Sequence, residues 1–284
     1  MTRHAMLYVP GNSTSKLAKL PSFGDQSVIL DLEDSVPLDA KAEARALVAT
    51  TIAPGTNYSV RINAYGSDQW FEDLNAIVRK GLRSVVVPKV ETAESLNAID
   101  AVIARCEGEH DLVPGTISLI GVIETARGVA ELPALAQATP RLERFCFGAG
   151  DFSLDVGLTW PEPEPNPTVL AAKSQLVIIS RAAGLLAPHD GAYPAYRDHD
   201  GLERESKLAK RMGFASKHAI HPGQLEIIER VFAPSEAELT RARRIVQAFE
   251  TAERAGSAAV GLDGELIDYP VVARARQLLD GADA

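Results

Sequence analysis

The chain has 284 residues, of which 46% are hydrophobic and 24% are charged, a balance typical of a globular protein with one sizeable core. The formal net charge is -9 and the sequence pI is about 5.2. An acidic chain without basic runs argues against partners such as nucleic acid or an anionic membrane surface, although local basic pockets for anionic substrates remain compatible with it.

The two cysteines, Cys106 and Cys146, form neither a CxxC metal motif nor a disulfide framework. No apolar run approaches the ~18 residues that a membrane-spanning helix needs. The first residues, MTRHAMLYVPG, lack the apolar stretch of a signal peptide. These features together predict a cytoplasmic protein.

Eight short β-rich runs alternate with helical stretches along the chain. They predict strands at Met6–Pro10, Val28–Leu32, Tyr58–Ile62, Ser84–Val87, Ile117–Ile123, Arg144–Phe147, Leu185–Asp190 and Phe214–Ile220. The alternation indicates parallel strands with crossover helices, and the apolar runs indicate strands buried on both faces. Because eight strands close a barrel, we predict an α/β (β/α)8 TIM barrel. A doubly wound open sheet is the alternative.

Helices are predicted between the strands at Asp39–Ala49, around Trp70–Lys80 and at Thr92–Cys106, the last with Thr92 as its cap. The segment Trp160–Pro167 has four prolines in eight residues, which predicts an extended surface loop.

A C-terminal helical extension or cap is predicted to follow the barrel. It holds a long helix over Ser235–Ala255, a Gly/Ala-rich break, and a last segment over Leu262–Leu279. We therefore divide the chain into a catalytic barrel domain at 1–233 and a C-terminal helix and cap segment at 234–284. The extension is longer than a last barrel helix requires, so we expect it to reach over a site.

Polar residues close the predicted strands, where the active sites of such barrels lie. They are Glu33, Asp34, Arg61, Asn63, Lys89, Glu91, Glu124, Asp151 and Asp190. Several carboxylates at one end of a barrel repel each other unless a cation lies among them. Oxygen ligands without Cys/His pairs at zinc spacing suit Mg2+ or Mn2+. The alternative, that each acid caps the helix after it, is at least as good for any single acid. It is weaker for the set, because Asp31, Glu33 and Asp34 crowd one strand end.

Arg61 lies between two apolar residues on the third predicted strand. A buried arginine is costly unless it is paired, so it forms either a structural salt bridge or a fixed fork for a carboxylate or enolate oxygen. His218 and His221 bracket the end of the eighth strand, where a histidine is more often structural than catalytic.

Several motifs in chain order resemble the citrate lyase β-subunit-like branch of the HpcH/HpaI aldolase superfamily. They are Leu7–Gly11 (LYVPG) with Lys16, Ile29–Ser35 (ILDLEDS) with Lys41 and Arg45, Arg61–Asn63 (RIN), Pro88–Glu91 (PKVE), Ile123–Gly128 (IETARG), Gly148–Asp151 (GAGD), Gly213–Pro222 (GFASKHAIHP) and Asp263–Pro270 (DGELIDYP). The motifs are short individually, but their ordered combination over nearly the whole chain is specific.

The resemblance implies a Mg2+-binding (β/α)8 enzyme, usually a homotrimer, with Glu124 and Asp151 as metal ligands. It implies that Arg61, together with Glu124, contacts the substrate, and that Arg61 meets the enolate-bearing carbonyl. Glu33 and Asp34 match carboxylates that hold metal-bound water. Asp268 matches an acid/base that a C-terminal cap carries into a neighbouring subunit's site.

The implied reaction is carbon–carbon cleavage of a malyl-, citramalyl- or citryl-type CoA thioester through a metal-stabilised enolate. Lys16 is a candidate contact for CoA phosphates, although a solvated helix lysine is the simpler interpretation. The chain departs from the family pattern at Lys173, where an arginine is common, and at Ala187–His189, so the acyl group stays open. Alternatives are a thioesterase or malate synthase on the same scaffold, or a subunit that needs an acyl-carrier partner.

Overall fold

Eight parallel strands form a closed barrel in the computed structural model, which describes residues 4–56, 58–162 and 164–283. The strands are β1 (Ala5–Pro10), β2 (Ser27–Asp31), β3 (Tyr58–Arg61), β4 (Leu82–Val87), β5 (Ser118–Ile123), β6 (Leu142–Phe147), β7 (His189–Asp190) and β8 (Ser216–Ala219). They pair in chain order, and β8 closes the barrel on β1. The predicted TIM barrel is confirmed, and the open sheet is wrong.

The seventh strand is shorter than predicted, because β7 comprises only His189 and Asp190. The prediction began it at Leu185, but Pro188 has no backbone N–H to donate to a ladder. Only the two residues after Pro188 pair with both neighbouring strands.

Ten α-helices accompany or follow the strands up to residue 232 in the described ranges. They are α1 (Thr14–Leu17), α2 (Lys41–Thr51), α3 (Trp70–Ile77), α4 (Ala93–Glu109), α5 (Ala126–Ala130), α6 (Leu132–Leu135), α7 (Ala149–Asp155), α8 (Pro167–Ala182), α9 (His199–Met212) and α10 (Leu225–Phe232). Thr92 caps α4 as predicted, since its hydroxyl accepts from Ser95 N at 3.3 Å. Pro167, predicted as loop, instead begins α8, because proline is tolerated in the first helical turn and Asn166 supplies the cap.

The C-terminal extension contains α11 (Glu236–Arg254), a hairpin of β9 (Val260–Leu262) and β10 (Glu265–Ile267), and α12 (Tyr269–Asp283). Its helices and hairpin bury a separate apolar cluster that includes Ile245, Phe249 and Ile267. The hairpin was not predicted, although its turn residues Asp263 and Gly264, both with positive φ, are a known hairpin signal. The domain division at 233/234 stays a prediction.

The main hydrophobic core lies between the barrel and its helices, while the barrel interior holds a smaller apolar cluster and several polar side chains. No helix in the described part of the chain is long and apolar enough to cross a membrane.

Candidate active site

Arg61 is held in place by Asp31, its neighbour across the β2–β3 ladder. Arg61 Nε donates to Asp31 Oδ1 at 2.7 Å and Nη2 donates to Oδ2 at 2.8 Å, a bidentate pair that fixes the plane of the guanidinium. Asp31 also accepts from the backbone N–H groups of Glu33 and Ser35. Burial raises the pKa of Asp31, but the hydrogen bonds and charge of Arg61 outweigh it and lower that pKa. The structural and the functional interpretation of Arg61 are therefore compatible. Nε and Nη2 form a salt bridge with Asp31, while Nη1 faces the other strand-end carboxylates.

Two further carboxylates, the predicted Glu33 and Asp34, lie at the free side of Arg61. Arg61 Nη1 is 2.8 Å from Glu33 Oε2 and 3.3 Å from Asp34 Oδ2. Lys89 Nζ approaches Glu33 Oε1 at 3.5 Å. Glu33 is buried, whereas the Asp34 side chain is 57% exposed and can face solvent or a ligand.

Glu124, the residue after β5, is fixed by the backbone on both sides. Its Oε1 accepts from Lys89 N at 2.8 Å, and Lys89 has the uncommon positive φ of 49°. On the other side, a Cβ on Gly148 would lie 2.6 Å from Glu124 Cβ, so no larger residue fits there. The close approach of Glu124 thus explains the first glycine of the GAGD motif, Gly148.

The pKa values of these acids indicate that the site has more negative than positive charge. Burial, followed by the charges of Glu33 and Asp151, raises the pKa of Glu124 to about 8. Burial also raises the pKa of Glu33 to about 7, since Asp34 and Asp31 add to the effect and partly offset the cations Arg61 and Lys89. Such shifts mark buried carboxylates whose positive neighbours do not offset burial and the nearby negative charges.

Asp151 lies in the first turn of α7, beside Glu124. Its charge raises the pKa values of both Glu124 and Lys89, although burial alone would lower that of Lys89. Across the described ranges, no three His, Cys, Asp or Glu side chains are arranged as a complete metal cage. Two carboxylates with open positions still fit Mg2+, which keeps waters and takes substrate oxygens.

The sequence analysis missed Tyr8 as part of this site. The guanidinium carbon of Arg61 lies 4.8 Å above the centre of the Tyr8 ring, which is a cation–π contact. Tyr8 lies three residues before the Gly11 of LYVPG, and alternation along β1 was the available signal that its side chain points inward.

Other strand-end residues serve the scaffold. Asn63 donates its backbone and side-chain N–H groups to Asp73, and Asp190 lies in a buried ion cluster. His221 caps a 3-10 turn by accepting from Gly223 N at 3.0 Å. Glu91 is half-buried and joins none of the contacts described above.

Two predicted site residues take part in none of these contacts. Lys16 is exposed on α1, and no ion pair involves its ammonium within the described ranges. Asp268 caps α12, where its Oδ1 accepts from Val271 N at 3.4 Å. In the same described residues, no hydrogen bond or ion pair joins Asp268 to the barrel rim.

A closed parallel barrel with five acids and an arginine at the carboxyl ends of its strands defines a class of protein: an enzyme built to hold a cation and a charged substrate there. A sequence model of the HpcH/HpaI aldolase/citrate lyase family matches residues 4–222. The chain belongs to this family, and the predicted recognition and carbon–carbon lyase class are confirmed at that level.

Individual relatives span almost the whole chain. Citrate lyase subunit beta of Leuconostoc mesenteroides subsp. cremoris is 33% identical over 99% of this chain and 94% of its own. A (3S)-malyl-CoA thioesterase of Cereibacter sphaeroides is 34% identical over the same shares. The crystal structure of CitE from Mycobacterium tuberculosis in complex with magnesium, acetoacetate and coenzyme A is similar with a TM-score of 0.81. It is 25% identical and covers 99% of this chain and 98% of that one.

Proposed function

We propose that this protein is a Mg2+-dependent lyase that cleaves the carbon–carbon bond of a 2-hydroxy-acid CoA thioester of the malyl, citramalyl or citryl type. The observation that carries the proposal is the guanidinium of Arg61, fixed by Asp31 and surrounded by carboxylates that lack enough positive charge. A substrate of this class has a carboxylate and a carbonyl oxygen to meet a guanidinium, and hydroxy-acid oxygens to meet a cation.

Glu124 and Asp151 would hold the divalent cation, Mg2+ or Mn2+. When bound, it would supply a chelation point for the carboxylate and hydroxyl oxygens of the substrate and would acidify that hydroxyl. Support for this assignment comes from the raised pKa of Glu124 and from the magnesium named in the structure of the Mycobacterium tuberculosis relative.

Arg61 would stabilise the negative charge that develops on the thioester oxygen. A base removes the hydroxyl proton, the hydroxyl carbon becomes the carbonyl of a 2-keto acid, and the breaking bond leaves its electron pair on the thioester as an enolate. Because Asp31 binds Nε and Nη2 of Arg61, Nη1 is held in place for that oxygen, which makes it most effective in the transition state. Protonation at carbon then completes the acyl-CoA product. Glu33 and Asp34 orient the water around the site.

Asp268 is the proposed base, and it would come from a second copy of the chain. Its position on the self-packed C-terminal extension supports this arrangement, because the extension presents Leu266 and Tyr269 as exposed apolar side chains beside it. A homotrimer is the proposed assembly, the cytoplasm is the proposed compartment, and Lys16 is the proposed contact for CoA phosphates.

The test is to incubate the purified protein with Mg2+ and either malyl-CoA or citramalyl-CoA. We expect release of glyoxylate or pyruvate together with an acyl-CoA, measured by mass spectrometry, and loss of turnover with EDTA. An unchanged rate after EDTA treatment would contradict the role of the cation.

Two alternatives have specific support. The thioesterase relative favours hydrolysis of malyl-CoA, which would yield free CoA without a net keto-acid product. The citrate lyase subunit favours a chain that acts only with an acyl-carrier partner, which would leave CoA esters untouched.

A further inference from the structure

A chain of polar side chains runs along the barrel interior beneath the site. Arg144 Nη1 lies 2.7 Å from His189 Nε2, His189 Nδ1 lies 3.3 Å from His218 Nε2, and His218 Nδ1 lies 3.5 Å from Cys146 Sγ. His189 and His218 are both buried. The His218 ring meets the Tyr8 ring edge to face, with centres 5.3 Å apart. His218 therefore joins this series of hydrogen bonds to the Tyr8 ring, which in turn supports Arg61.

The direction of these hydrogen bonds follows from Arg144. A guanidinium only donates, so His189 Nε2 must accept, and His189 must carry its proton on Nδ1. That proton points at His218 Nε2, which places the proton of His218 on Nδ1 and towards Cys146. Both imidazoles are neutral: burial, followed by the Arg144 charge, lowers the pKa of His189, and burial, followed by Lys217, lowers that of His218 to about 3.

We infer that His218 is a positioning residue for Tyr8 and Arg61, and that Arg144 sets its tautomer and ring orientation from the opposite end of the barrel through His189. The buried Cys146 thiol accepts the last of these hydrogen bonds, from His218 Nδ1. Asp31 fixes one edge of the Arg61 guanidinium, whereas the Tyr8 ring fixes the tilt of its plane. The inference rests on the proposed function only for its kinetic readout.

Arg144 is a useful point of attack because it touches neither Tyr8 nor Arg61. It pairs with Glu143 and borders a cavity of about 800 Å³ at the amino ends of the strands. That space leaves room for a shorter side chain to adjust. Ser59 on β3 and Ser84 on β4 provide a matched control. Their hydroxyls form another buried hydrogen bond, at 2.6 Å, that is separate from the series of hydrogen bonds between Arg144 and Cys146.

The first experiment records long-range 1H–15N spectra of the 15N-histidine-labelled protein at neutral pH. We expect His189 and His218 as neutral Nδ1–H tautomers, assigned through His189→Gln and His218→Phe. A proton on Nε2 of either ring, or an imidazolium, would overturn the inference. This result does not depend on any substrate, so it is separable from failure of the proposed lyase activity.

The second experiment measures kinetics with the CoA thioester that the wild type cleaves. Arg144→Met removes the donor that fixes the tautomer of His189. We expect kcat to fall roughly tenfold with little change in KM, because a small displacement of Arg61 from its productive position is costly. Arg144→Lys, which keeps a cationic donor, should restore most of kcat, and Ser59→Ala should leave it unchanged. If Arg144→Met fails to fold, His218→Phe, which keeps the ring volume, carries the same expectation. A changed tautomer with wild-type kcat would reject the positioning role.

Discussion

Two groups of charged side chains at the carboxyl ends of the strands look alike in sequence but differ in charge balance. Around Arg61, five acids (Asp31, Glu33, Asp34, Glu124 and Asp151) face two cations, Arg61 and Lys89. Around Asp190, two acids face two cations: Lys173 and Lys217 lie 2.7 and 2.8 Å from its oxygens, and Lys217 also pairs with Glu205. The first group has an excess of negative charge, and the second is neutral.

The pKa shifts follow this difference in sign. Burial raises the pKa of Glu33 and of Glu124, and their neighbours fail to reverse it. Burial would also raise the pKa of Asp190, but Lys173 and Lys217 lower it to about 2. Glu33, Glu124 and Asp190 are all buried, so the charges of their neighbours determine the direction of each pKa shift. An acid that is buried without its counter-charge is a candidate ligand for a missing cation, whereas one with a full set of partners belongs to the scaffold.

The largest expected effect comes from removing a charge in the unbalanced group. Glu124→Gln and Asp151→Asn should each lower turnover of a CoA thioester roughly 1000-fold, since each removes a proposed ligand of the cation on which the proposed reaction depends. Calorimetric titration with Mg2+ should show weaker binding in both variants. Glu91→Gln, a half-buried strand-end acid outside the group, is the control. Wild-type Mg2+ affinity in both variants would remove them as ligands.

Asp190→Asn should act on stability. It leaves the fully buried Lys217 with only the half-buried Glu205 as partner and leaves Lys173 without its Asp190 partner, so we expect a loss of about 3 kcal/mol in the free energy of unfolding. Urea unfolding measures it, with Glu203→Gln on the surface of α9 as control. Loss of Mg2+ affinity in folded Asp190→Asn would instead join the two groups into one site.

Arg61→Lys should lower turnover roughly 100-fold while the protein stays folded. A single ammonium keeps the charge, but it cannot bind both Asp31 oxygens and present a second donor to the substrate. We expect Mg2+ binding to persist, which steady-state kinetics and calorimetry together would show. A rate within twofold of the wild type would mean that Arg61 serves Asp31 alone.

Much of this comparison was predictable from the sequence, because barrel topology brings strand ends together. The parallel strand order, the position of Arg61 at a strand end and the crowding of Glu33 and Asp34 followed from the residues, whereas the choice of a barrel and the role of Arg61 also depended on the family resemblance. The partners of Asp190 were not predictable in that way. Lys173 and Glu205 lie on helices, and their approach to β7 depends on how α8 and α9 pack, which strand periodicity does not encode.

Asp268 shows a different limit. Its motif indicated a role in catalysis, yet within the described residues its only side-chain hydrogen bond is to the start of α12. If Asp268 acts in another copy of the chain, as we propose, that role leaves no trace in the contacts of its own copy. Tyr8 was missed for the opposite reason: it lies inside the site, but an aromatic residue on an apolar strand looks like core.

The smallest expected effect is the pH dependence of stability that arises from the neutral group around Asp190. The pKa of Asp190 is lower in the folded state, about 2, than its ordinary 3.8, so its ion pairs stabilise the protein fully above pH 4 and are lost as the pH falls towards 2. The contribution is about 2 kcal/mol. The stability gap between the wild type and Asp190→Asn should therefore narrow between pH 5 and about pH 2.5, measured by urea unfolding at each pH. A gap that is constant over this range would mean that the Asn variant loses packing or hydrogen bonds rather than charge.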